Sequence, residues 1–355
     1  MAHPVLQNAS PMFTCRTLVC TTMAALSAAS FSPRARAEYH LASSIHVGGE
    51  GSWDYLDIDP EARRLYVTHA THVVVIDLES LKVVGDVPDC PGMGGVAIAH
   101  DLNRGYTANG TDDTVTVFEL DTLKTIGKWK ATGKRPNQII FEPFTKTVWT
   151  FNSTGRNCTA FNAMTGEVLA TLPLDGRTEF AAFDKKGMIY DSQQDRATII
   201  AIDARTLKMV ATYPLAPNAQ PAGTVMDPET NRIFVGCRSK AFLVVDASTG
   251  KIIETFPIGG GNDSAKFDPA LKLAFASNGT DGSIAVVHED GDDKYSLIQT
   301  VKTEVGARTM AEDPVSHRLF LPSCDWGPVP HATKENPNPR AAMVPDSFRV
   351  LVVEP

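Results

Sequence analysis

Residues 227–256 read DPETNRIFVGCRSKAFLVVDASTGKIIETF, and residues 59–84 read DPEARRLYVTHATHVVVIDLESLKVV. Both run in one order: an Asp-Pro turn, a β-branched strand centred on an aromatic, a polar turn, a second apolar strand, a turn ending in Lys, and a third strand. Across the chain seven such strands carry the aromatic, at Tyr66, Tyr106, Trp149, Tyr190, Phe234, Phe275 and Phe320. Their spacings are 40, 43, 41, 44, 41 and 45 residues, the period of about 40 to 50 expected of propeller blades. Turn dipeptides keep the same register ahead of them: Asp59-Pro60, His100-Asp101, Glu142-Pro143, Asp184-Lys185, Asp227-Pro228, Asp268-Pro269 and Asp313-Pro314.

One unit of this size cannot bury its own apolar face, whereas radial stacking covers every face and circular closure covers the last two. The sequence therefore predicts an all-β, seven-bladed propeller of four-stranded antiparallel blades. The seventh unit supplies only three strands by the time it reaches Arg349 to Val353, and Tyr39 to Val47 has matching strand character. The N-terminal segment is expected to complete the last blade.

Tyr66-Val67-Thr68-His69 and Tyr106-Thr107-Ala108-Asn109 resemble the tetrapeptide of YVTN-type propeller repeats, and Trp149-Thr150-Phe151-Asn152 and Phe275-Ala276-Ser277-Asn278 are looser copies. The likeness spans nearly all of residues 45–355. Blades four and five, with Tyr190-Asp191-Ser192-Gln193 and Phe234-Val235-Gly236-Cys237, depart from it. The resemblance implies the fold and leaves function open, because such repeats serve in surface proteins, periplasmic binding proteins and a few enzymes.

Residues 1–37 have a different character. Arg16 closes a polar leader, Thr17 to Phe31 is apolar and small, and Ala35-Arg36-Ala37 is an A-x-A cleavage signal. This is the pattern of a secretory signal peptide cut after Ala37, leaving 38–355 as one domain in the periplasm or outside the cell. No later stretch reaches the roughly 20 apolar residues of a membrane span. The leader carries Arg16, Arg34 and Arg36 and no acid, so the net charge of −8 becomes −11 on its removal. Such an acidic surface fits nucleic-acid phosphate poorly. Cys90, Cys158, Cys237 and Cys324 remain, without C-x-x-C spacing, so neither a zinc knuckle nor a particular disulfide is indicated.

In a propeller, the connection entering each innermost strand and the turn between the second and third strands share one face. Counting back twelve residues from each aromatic gives the channel mouth: Asp54, Gly94, Asn137, Thr178, Ala222, Asp263 and Arg308, with Glu179 replacing Thr178 if the shorter fourth blade shifts by one. Asp54, Asn137, Glu179 and Asp263 are oxygen donors suited to Ca²⁺, Mg²⁺ or Mn²⁺. Arg308 could instead clamp a carboxylate-bearing ligand. A third reading is that these groups only pair with one another. His69 and His72 form a His-x-x-His loop on the same face, and Glu50 and Trp53 lie in the glycine-rich run before blade one. Proline-rich residues 323–347 lengthen the corresponding turn of blade seven and are expected to form a lid over the mouth, with Trp326 and His331 its contact residues.

The chain has no G-x-S-x-G elbow, no H-E-x-x-H and no C-x-x-C-H. A binding or scaffold module for a small polar molecule, a metal ion or a protein partner therefore ranks first, and a monomer is expected. The alternative is a metal-assisted, lactonase-like hydrolase that uses the acidic ring, with His69 or His72 as proton shuttle. Gluconolactonase-type propellers are similar in architecture, though not in motif.

Overall fold

The computed structural model describes residues 38–334 and 336–355. The proposed signal peptide lies outside the described residues. Seven four-stranded antiparallel sheets form the ring, and the one helical element among the described residues is the 3₁₀ turn His100–Leu102. Blade one is Trp53–Asp59, Arg64–His69, His72–Asp77 and Lys82–Val87, from channel to rim. Blades two to six repeat that order, with inner strands Met93–Ala99, Pro136–Glu142, Thr178–Phe183, Pro221–Asp227 and Asn262–Asp268. Blade seven joins Ala311–Glu312, Leu319–Ser323 and Arg349–Glu354 to the N-terminal strand His40–His46, as the sequence predicted.

The position of each strand explains its sequence pattern. Second and third strands are covered on both faces by neighbouring blades, so they read as nearly unbroken apolar runs, such as Val73–Ile76 and Phe242–Val245, all at most 4% exposed. Outer strands face water on one side and alternate accordingly, as in Lys208–Pro214. The periodic aromatics Tyr66, Tyr106, Trp149, Phe234, Phe275 and Phe320 are at most 1% exposed and fill the wedges between blades.

The Asp-Pro turns have two tasks. One carboxylate oxygen accepts from the backbone amides of its own turn, as Asp59 does from Glu61 and Ala62, and Asp268 from Ala270 and Leu271. The other reaches the next blade: Asp59 to His100 Nδ1 at 2.8 Å and Asp268 to His317 Nδ1 at 2.6 Å. At the closing seam Asp313 takes a two-pronged contact from Arg63, at 2.6 and 2.8 Å, which ties blade seven to blade one.

Candidate functional site

Every inner strand from blade one to blade six carries one residue more than its partner near the mouth. The extra residue falls between Trp53 and Leu56, Met93 and Val96, Pro136 and Gln138, Thr178 and Ala181, Pro221 and Thr224, and Asn262 and Ser264. A bulge of this kind re-aims a side chain away from the ladder, and the bulges contain Asp54, Gly94, Asn137, Glu179, Ala222 and Asp263. In blade four Thr178 pairs with Gln193 just as Trp53 pairs with His69, so Glu179 and not Thr178 is the equivalent of Asp54. Blade two cannot contribute a side chain, because a Cβ on Gly94 would collide with the carbonyl oxygen of Asn137.

Guanidinium groups meet these acids. Arg308 Nε lies 3.2 Å from Asp263 Oδ2 and its Nη2 4.0 Å from Asp54 Oδ1, while Arg238 grips the other oxygen of Asp263. Arg177 Nη2 approaches Glu179 Oε1 at 3.2 Å, out of line for a hydrogen bond. Arg308 is anchored at Nη2 by the Trp53 carbonyl at 2.8 Å, and its guanidinium lies 5.3 Å from the Trp53 ring centre. Asn137 donates to the Tyr55 hydroxyl at 3.2 Å.

Burial is the main cause of the raised carboxyls of Asp54 and Glu179. Asp54 is enclosed by protein, although 22% of its side chain stays open to the channel. Its carboxyl is pushed up to about 8 by burial, with Arg308 opposing and Asp263 and Glu179 adding to the rise. Glu179 is pushed up to about 7 by burial and Asp263, against Arg238, Arg177 and Arg135. Behind it Asp191 is fully buried, neither of its oxygens has a hydrogen-bond partner, and burial and then Glu179 drive its carboxyl far upward. Near neutrality Asp54 therefore carries a proton to donate, and the mouth is less anionic than its sequence reads. Below the ring, Tyr55 and Phe180 meet edge to face at 4.7 Å and border a cavity of about 210 Å³ lined also by Asp57 and Lys266.

The long loop does lie on this face. Trp326 pairs across it with Met343, donates from Nε1 to the Val305 carbonyl at 3.2 Å and sits 5.8 Å from the Trp53 ring. One side of Trp326 borders a cleft of about 910 Å³, with Arg238, Asp263, Thr280, Arg308 and Arg340. Its other side borders a smaller cleft of about 400 Å³, with Glu50, Trp53 and Met343. His331 is exposed and lines neither.

The structure brings His69 and His72 together as a strand pair, with ring centres 5.1 Å apart. His69 is 1% exposed, stacked on Phe348 at 4.1 Å, with both ring nitrogens buried and unpartnered, and His72 is half-buried with Nε2 3.7 Å from Asp86. Burial, and then His72, holds the His69 imidazole down near 4. A base whose folded-state pKa is depressed contributes fully above its unfolded value, about 6.5, and that contribution fades as pH falls toward about 4. Denaturant titrations of the parent between those limits should therefore show a declining stability. His69→Phe, which keeps the stacking, should flatten that part of the profile; an unchanged slope would show that His69 is not its source.

A cation held by Asp54, Asn137, Glu179 and Asp263 was one of three readings of the ring. Elsewhere among the described residues, Asp268, Glu312 and His317 form a group of Asp, Glu, His or Cys residues with mutually close ligand atoms, at the opposite face. At the ends of second strands, Asn109 donates to the Thr114 and Thr116 hydroxyls, and Asn152 to Asn157 Oδ1 and the Thr159 hydroxyl, so these residues brace their hairpins through side chains. All four cysteines of the described residues are buried and free. Arg238, four residues past Phe234 in the turn between the second and third strands of blade five, was not singled out by the sequence reading. Arg340 sits in a loop without a repeat register and had no comparable signal. No family model matches the chain, and no curated protein is significantly similar to it.

Proposed function

We propose that this chain is an exported propeller of the YVTN-repeat type that binds a small carboxylate-bearing polar molecule at the channel mouth. The observation that carries the reading is the cleft of about 910 Å³ in which Arg238, Arg308 and Arg340 converge beside the indole of Trp326. Planar guanidinium groups bind carboxylates by paired hydrogen bonds, and the protonated Asp54 can donate where an ionised acid would repel. Arg340 has no ion pair among the described residues, so its charge is uncommitted. The leader pattern of residues 1–37 supports export, and the Tyr66-Val67-Thr68-His69 repeat supports the family. Arginine pairing of the ring acids favours binding over the hydrolase alternative. No helix of the described residues is long and apolar enough to cross a membrane.

Thermal shift with acetate, succinate and citrate tests the reading. At least one should raise the melting midpoint of the mature protein. Arg340→Ala, at an exposed position, should weaken that ligand by about 10- to 100-fold, the value of one charged hydrogen-bonding partner; Arg308→Ala should act in the same direction. No response to any of the three, or full response in both variants, would reject the proposal.

A further inference from the structure

The position of Glu312 breaks a rule that the other six blades keep. Pairing register places it beside Leu319 in blade seven, where its counterparts are Ile58, Ile98, Phe141, Phe183, Met226 and Phe267. Six blades fill the site with an apolar side chain and one installs a carboxyl group, whose Oε1 is buried without a hydrogen-bond partner. Local departures from an otherwise consistent pattern mark functional positions, and an orphaned buried oxygen calls for an unseen partner.

The surroundings identify that partner. Asp268 and His317 bracket Glu312 across the seam between blades six and seven, and one ligand atom from each of the three lies within 4.8 Å of the others. Asp268 is completely buried, and its Oδ2 already faces the His317 ring. Asp313 adds a further carboxylate nearby, but Arg63 holds it. Lys266, the cation whose field reaches Glu312, makes no ion pair with it among the described residues.

We propose that Asp268, Glu312 and His317 form a divalent transition-metal site on the face opposite the channel mouth, clasping blade six to blade seven. Two carboxylates and an imidazole suit Zn²⁺ or Mn²⁺ better than Ca²⁺, which takes oxygen ligands in larger number. The chain contains its own control. At the seam of blades one and two, Asp59 holds His100 in the same fashion and Glu61 lies 3.1 Å from the other ring nitrogen, but Ile98 stands where blade seven has Glu312, and these residues do not form a group with mutually close ligand atoms. Tyr39 of the closing strand donates to the His317 carbonyl at 3.0 Å, so a metal here would also steady the closure.

The test uses chelator-treated mature protein and Zn²⁺ alone, with Ca²⁺ as the contrasting ion, read by calorimetric titration and thermal midpoint. Parent protein should bind one Zn²⁺ with a rise in midpoint and respond little to Ca²⁺. Glu312→Leu restores the residue type of the other blades, so it should fold without metal at least as well as the parent while losing ten-fold or more in Zn²⁺ affinity. Glu312→Gln should lose affinity similarly and serves if the Leu variant fails to fold; His100→Ala should bind as the parent does. No stoichiometric Zn²⁺ binding by the parent, equal affinity in the Glu312 variants, or loss of affinity in His100→Ala would overturn the proposal.

Discussion

Replacing Tyr39 by Ala should cost about 3–5 kcal/mol in chemical denaturation, the usual range for emptying a large aromatic site in a core. Tyr39 is 1% exposed, meets Phe275 edge to face at 5.0 Å, and packs with the apolar residues that join blades six and seven. Its backbone is held on both sides by Gln299, which accepts from the amide at 3.0 Å and donates to the carbonyl at 2.7 Å. The residue thus fixes the start of the strand His40–His46, which completes blade seven. Tyr39→Phe keeps the ring and loses only the hydroxyl bond to His317, so it should cost about 1 kcal/mol. A loss below about 1 kcal/mol for the Ala variant would mean that the closing strand does not hold the ring together.

The second large effect is expected at the same seam. Asp313 is fully buried and Arg63 is 20% exposed, so Arg63→Ala leaves a buried carboxylate without the guanidinium that pairs with it. Breaking one side of a buried pair costs about 3–5 kcal/mol, and Arg63→Lys should recover only part, since an ammonium cannot make the paired contact. The pH dependence has a definite sign. Burial alone would raise Asp313, but the bonds from Arg63 and Ser316 outweigh it and hold the carboxyl below its usual value. Its contribution is present above about 3.9, the unfolded value, and is lost as pH falls through the lower folded value. Urea titrations should show Arg63→Ala and the parent converging as that range is crossed. A constant difference down to the acid limit would place the effect elsewhere.

The architecture was legible because it repeats: seven aromatics at a near-constant interval leave few alternatives, and the three-strand seventh unit pointed to closure by Tyr39 to Val47. The ring residues were legible for a related reason, since each bulge sits at a fixed distance from its aromatic and the one-residue offset at Glu179 follows from the shorter blade. Contacts between distant units were not. Arg63 and Asp313 are 250 positions apart and become neighbours only when the circle shuts. Glu312 was hidden by the Asp313-Pro314 turn signal beside it, and its oddity shows only once strand pairing aligns it with Ile98 and Phe267. The surroundings of His69 were hidden for the same reason, since Phe348, stacked on its ring, comes from 279 residues further on.

The extra residue in the inner strands of blades one to six has an evolutionary consequence. Side chains that project from it take no part in the hydrogen-bonded ladder, so apart from the position blocked at Gly94 strand pairing does not dictate their identity. Selection could therefore retune ligand preference one wedge at a time, and related toroids with unrelated cargo would differ first at the counterparts of Asp54, Asn137, Glu179, Ala222 and Asp263.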